Sequence, residues 1–120
     1  MDIKYIENIY EDLLELSDIK IQMQYWNNKN PSHVSSYTEL MCRLFDDDCF
    51  DDFVGLLKEN AGCFRDQVKQ IVDLQENLNL YNEKGKTDNN ILSDTRWREI
   101  VKLSKVVLNN WPIYVSILNE

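Results

Sequence analysis

Apolar residues recur every three or four positions along nearly the whole chain. That is the period of an α-helix, and a strand would alternate every second residue. Ile3, Ile6, Ile9 or Tyr10, Leu13 and Leu14 mark one face of a first helix. From Phe64 a longer run passes through Val68, Ile71, Val72, Leu74, Leu78 and Tyr81, and Trp97, Ile100, Val101, Leu103, Val107, Leu108 and Trp111 repeat the pattern. Only three glycines and two prolines interrupt the 120 residues, fewer than an all-β domain needs for its turns. The expectation is an all-α fold: one compact bundle of five to six helices, a single domain over residues 1–120.

Polar punctuation divides the pattern. Ser17 and Asp18 are the candidate caps of a second helix carrying Ile19, Ile21, Met23, Tyr25 and Trp26. It stops within NNKNPS, because Pro31 disfavours a helical Asn30. Ser36 and Glu39 form an S-x-x-E capping box for a third helix that ends near a run of aspartates. Phe50, Phe53, Val54 and Leu57 continue in a short fourth helix, and Asn60-Ala61-Gly62 is a break. NEKGKTDNN reads as a polar loop with Gly85 near a helix C-cap. Either Ser93 or Asp94 caps the next helix. Pro112 suits the first turn of a final short helix, although Ile113, Tyr114, Val115 and Ile117 also suit a short strand.

The formal charge is −8 and is unevenly spread. Residues 1–18 and 39–59 are strongly acidic, whereas 95–111 are basic. Such a chain repels phosphate backbones, so direct nucleic-acid binding is not expected. Its acidity favours steered association with basic partners. The N-terminus lacks the basic and apolar regions of a signal peptide, and no apolar run approaches the ~20 residues of a membrane span. A cytoplasmic protein without membrane contact is therefore expected. The cysteines Cys42, Cys49 and Cys63 form no CxxC pair and read as reduced, mostly buried thiols, with Cys42 on an apolar helix face.

The stretch LFDDDCFDDF, residues 44–53, concentrates the chemical question. An EF-hand loop beginning at Asp46 would need glycine where Asp51 stands and a ligand where Phe50 stands, so calcium spacing fails. Zinc lacks paired ligands, since His33 is the one histidine and falls in a loop. No base stands beside a nucleophile, and no glycine motif cradles phosphate. Neighbouring aspartates at a helix end make a solvated face more readily than an acid–base pair. No catalytic residue, metal site or cofactor is predicted. Leu44, Phe45, Phe50 and Phe53 should be core residues either side of a helix break. Asp46 and Asp47 should cap and pair inward, with Asp48, Asp51 and Asp52 facing water. Trp97 should anchor the core, with Arg96 or Arg98 pairing with the aspartates.

Leu16-Ser17-Asp18 followed by Gln24 and Trp26, then Leu44-Phe45-Asp46-Asp47, then Ile91-Leu92-Ser93-Asp94 with Arg96-Trp97, form a pattern along a chain that has no internal repeat. From about Leu16 to Trp111 the chain resembles small helical bacterial proteins with LFDD and D-x-R-W elements. It also resembles helical immunity proteins of contact-dependent growth inhibition systems. The resemblance implies a non-catalytic protein that binds and neutralises a cognate toxin, often a nuclease. Nuclease domains are commonly basic, so acidic surfaces offer matching potential. The candidate contact residues are Asp47, Asp48, Asp51 and Asp52, together with Glu11, Asp12 and Glu15 on the first helix. Tyr10 is a candidate aromatic anchor, as are Tyr5, Tyr25, Trp26 and Tyr37 where they escape burial. The alternatives are a cytosolic adaptor bundle whose acids only solubilise it, and a small metal-using enzyme built on Asp46, Asp47 or Asp48.

Overall fold

The computed structural model describes residues 1–27 and 34–119. The expected helix stop at Asn30-Pro31 and the loop position of His33 lie outside these residues. The described residues form helices and no strand: α1 (Ile3–Leu16), α2 (Ile19–Trp26), α3 (Tyr37–Cys42), a π-helical turn (Arg43–Asp47), α4 (Phe50–Glu59), α5 (Arg65–Leu80), α6 (Asp88–Ser93), α7 (Thr95–Asn109) and α8 (Trp111–Leu118). The all-α expectation holds, with more helices than the five to six expected. None among the described residues is long and apolar enough to cross a membrane.

Side-chain oxygens start most of these helices by taking up free backbone N–H groups. Asp2 accepts from Lys4, Asp18 from Lys20 and Ile21, Ser36 from Glu39, and Asp94 from Arg96. The extra helix, α6, grows from the end of the expected loop. Thr87 and Asn90 cap it reciprocally, at 3.2 and 3.0 Å, and Ile91 and Leu92 bury its inner face. Gly62 and Gly85 take positive φ, +56° and +73°, in turns where a side chain would be strained. The C-terminal apolar run is helical: Pro112 sits in its first turn and the Asn110 carbonyl accepts from Ile113 and Tyr114. The strand alternative is thereby corrected.

The core runs through the bundle between α5, α7, α4 and α1. Trp97 is fully buried at its centre, as expected. Trp26, Tyr37 and Tyr81 surround it, with ring centroids at 5.9, 5.4 and 5.3 Å. Its indole N–H donates to the buried Gln22 amide oxygen at 2.9 Å. The Gln22 amide nitrogen in turn donates to the Glu15 and Leu16 carbonyls, both at 2.9 Å. One side chain thus closes the C-terminus of α1 and ties it to α7. A buried amide left unpaired would cost ~1–3 kcal/mol, so the three bonds are interdependent.

Candidate functional site

The acidic corner is built by two backbone irregularities. At the end of α3 the Asp48 N–H donates to the Arg43 carbonyl at 2.8 Å, an i→i+5 bond that widens the helix into a π turn. Cys49 then takes φ 57° and ψ 49°, the left-handed conformation that L-residues with side chains seldom adopt. The chain turns and α4 begins at Phe50. Phe45 and Phe50 meet edge to face across the turn at 5.6 Å. Leu44, Phe50 and Phe53 are fully buried and Phe45 is half-buried, so the apolar residues of the stretch pack on both sides of the break as expected.

The aspartates divide differently from expectation. Asp46 and Asp47 face solvent, as do Asp51 and Asp52 in the first turn of α4, where the helix dipole favours negative charge. Asp51 also accepts from Gln75 of α5 at 2.6 Å. Asp48, expected at the surface, is buried at 7% exposure. It follows Leu40 and Leu44 at four-residue spacing and so continues their inward face.

On α1 the same correction applies to Asp12 and Glu15, whose side chains are buried among Ile9, Leu13 and Leu16. Their partner is Arg43, and neither Arg96 nor Arg98 takes that place. Arg43 Nη2 lies 3.0 Å from Glu15 Oε1, and Nη1 lies 3.8 Å from Asp12 Oδ1. Glu15 Oε2 accepts from the Trp26 indole at 3.0 Å and the Ser35 hydroxyl at 2.8 Å. Arg43 also donates to Ser35 Oγ at 2.9 Å. Arg98 donates instead to the Leu92 carbonyl, holding α6 to α7. Glu15 is therefore saturated with donors, the condition under which a buried carboxylate is tolerated.

Asp12 is not saturated. Its Oδ2 is buried without a donor. Burial, and then the facing Asp48 carboxyl, push its pKa from 3.8 up to about 9. Both causes favour the protonated form of Asp12, which can donate a hydrogen bond to Asp48. That proton removes the clash of two carboxylates in a low-dielectric place. The corner therefore rests on a buried contact between two acids beneath exposed carboxyl groups.

The fold gathers part of the predicted contact set. Glu11, Asp12, Asp47 and Asp48 line one cleft of about 390 Å³, together with Asn8 and Arg43. Asp51 and Asp52 continue the acidic surface on α4. Glu15 lines a neighbouring hollow with Arg43, Ser35 and Tyr25. Tyr10 stands apart, 36% exposed, with its ring 5.4 Å from Trp111. Trp26 and Tyr37 are buried in the core and offer no surface anchor, whereas Tyr5 is exposed. Cys42 and Cys63 are exposed and Cys49 is half-buried. The expectation of mostly buried thiols is thereby corrected, because Cys42 falls off the Leu40–Leu44 face.

Arg43, Ser35 and Gln22 were missed by sequence reasoning. Arg43 had a signal: it and Lys58 are the two bases in the acidic stretch 39–59, and Arg43 alone falls within a turn of Leu40 and Leu44. Ser35 and Gln22 had none, since their partners are distant in sequence. Elsewhere, Tyr81 donates to Asp94 at 2.7 Å and Lys86 lies 3.2 Å from the same oxygen. The Tyr81 hydroxyl, the Arg96 N–H and Lys86 together hold the Asp94 carboxyl below its ordinary value. Among the described residues no group of three or more His, Cys, Asp or Glu side chains is arranged to hold a metal ion. No protein-family model matches the chain, and no curated protein or solved structure does either.

Proposed function

We propose that this protein binds and neutralises a basic protein toxin, a nuclease domain being the best fit, through the acidic corner and without catalysis of its own. One observation carries this reading. Asp46, Asp47, Asp51 and Asp52 face solvent around a turn whose underside is pinned by Arg43, Glu15 and the Asp12–Asp48 pair. Exposed carboxylates on a fixed base keep their spacing when a partner arrives, so little ordering cost opposes binding. Their field steers a cationic partner towards the corner. Glu11 extends the same field from α1. Asp12, Glu15 and Asp48 act from below by shaping the surface, and make no contact themselves. The expected site of action is the cytoplasm.

The test is a native pull-down with the product of the adjacent gene, followed by a nuclease assay of the complex. Stoichiometric binding with protection of the nucleic acid supports the reading. A toxin that neither binds nor loses activity overturns it.

A further inference from the structure

A second surface adjoins the acidic cleft at Glu11 and runs between α1 and α8, with the end of α7 at its edge. It is a groove of about 710 Å³ whose walls are Ile3, Ile6 and Tyr10 on one side and Leu108, Trp111 and Val115 on the other. Ile3 is 68% exposed, and Tyr10 stands at the surface. The floor is firm: Trp111 stacks on the fully buried Phe53 at 5.3 Å and 28°, and meets Tyr114 edge to face at 6.3 Å. α8, WPIYVSIL, carries no charged residue, yet Pro112 is exposed and Trp111, Ile113, Val115 and Leu118 are only half-buried. Apart from the exposed Ser116 and the Tyr114 hydroxyl its side chains are apolar, and a helix this apolar is ordinarily more fully covered. An open apolar groove with aromatic walls marks an interaction surface.

Charge selects the occupant. The charged residues lining the groove, Glu7 and Glu11, are both acidic. A second copy of the chain would set these glutamates against their own counterparts in a molecule of charge −8. An anionic lipid surface would be repelled for the same reason. A helix with leucine-like side chains on one face and lysine or arginine beside them satisfies both walls and rim. α8 has eight residues, about 12 Å at 1.5 Å per residue, so the match is two to three turns of such a helix.

We infer that the groove between α1 and α8 docks a basic amphipathic helix of a partner protein, with Tyr10 and Trp111 as anchors and Glu7 and Glu11 as its charge readers. This rests on the toxin-binding reading for the partner's identity, but not for the groove's chemistry. Glu11 lines both this groove and the acidic cleft, so one partner can span the two.

The probe is a 14-residue helical peptide with leucines on one face and lysines on the other, titrated into 15N-labelled full-length protein. Shifts should centre on Ile3, Tyr10, Val115 and the Trp111 indole. Ile3→Asp and the double variant Glu7→Lys/Glu11→Lys should each weaken binding at least tenfold. Ile3 is exposed enough for its replacement to leave the fold intact. Neither the same composition with dispersed leucines nor a version with glutamates for lysines should bind. Shifts confined to Asp46–Asp52, unaltered affinity in Ile3→Asp, or no binding at all would each overturn the groove assignment while leaving the toxin-binding reading standing. A concentration-dependent dimer that itself shifts Tyr10 and Trp111 would also overturn it, because the occupant would then be a second copy. Groove binding of the peptide alongside a failed toxin pull-down would uphold the groove and sink the other reading.

Discussion

Replacing Asp12 by asparagine should make this protein more stable at neutral pH. Asp12 is 3% exposed, its Oδ2 lacks a donor, and it faces Asp48, Glu15 and Arg43. Its pKa is 3.8 in the absence of these surroundings and about 9 within them, burial being the largest cause. Between those values the folded chain holds one proton more than the unfolded chain. The stability contributed by Asp12 is therefore complete below pH ~4 and is lost as pH rises towards 9, at up to ~1.4 kcal/mol per pH unit. By pH 7 the accumulated loss has a ceiling of about 4 kcal/mol, from 1.36 × (7 − 3.8). Asparagine does not titrate, and its amide can donate to Asp48 as the carboxyl proton does. It forfeits the contact with Arg43, worth under ~1 kcal/mol because that guanidinium is 40% exposed. Asp12→Asn should thus stabilise by about 2–3 kcal/mol at pH 7 and do nothing, or slightly destabilise, at pH 4. Urea unfolding of both proteins, followed by tryptophan fluorescence from pH 4 to 8.5, measures the difference. Parallel stability curves across that range would show that Asp12 is ionised in the fold, and the proton between the two aspartates would have to be abandoned.

Other expectations follow from the same contacts. Gln22→Ala strips donors from the Glu15 and Leu16 carbonyls and the acceptor from Trp97, and should cost about 2–4 kcal/mol in a denaturant titration. Ser35→Ala removes one of the donors to Glu15 and should cost about 1–2 kcal/mol; a loss below 0.3 kcal/mol would mean that water replaces the hydroxyl. Asp47→Asn, Asp51→Asn and Asp52→Asn combined should leave the melting temperature nearly unchanged while slowing toxin association about tenfold at low salt and flattening its salt dependence, read by stopped flow. Cys42 and Cys63 should react with a thiol reagent in the native protein, within the dead time of the unfolded control, with Cys49 slower.

Helix type and most boundaries were legible because they depend on local spacing. α1, α4, α5 and α7 follow from their apolar periodicity, and Asp18, Ser36 and Asp94 were among the residues read as caps. α6 was hidden because its four starting residues, TDNN, have loop composition, and only the reciprocal Thr87–Asn90 cap makes them a helix start. The burial of Asp48 and Asp12 was partly legible. Both occupy inward positions, at i+4 from Leu44 and i+3 from Ile9, and the weight of five aspartates in seven positions obscured that phase. Nothing local announced the π turn or the left-handed Cys49. The Gln22–Trp97 bond was equally out of reach, since it joins residues 75 apart.

That separation also bears on the order in which the molecule assembles. A contact across 75 residues closes most of the chain into a loop, and non-local closures slow folding more than they alter final stability. Until α7 arrives, the Gln22 amide can cap the end of α1 but has no indole to accept from. The junction between α1 and α2 therefore stays unfinished through the middle of the folding reaction. On the ribosome, where the N-terminal side emerges first, Glu15, Gln22 and Trp26 wait for Trp97 to clear the exit tunnel before their pocket is sealed. Trp97 fluorescence in refolding experiments should accordingly report the closing step, and not the formation of the first helices.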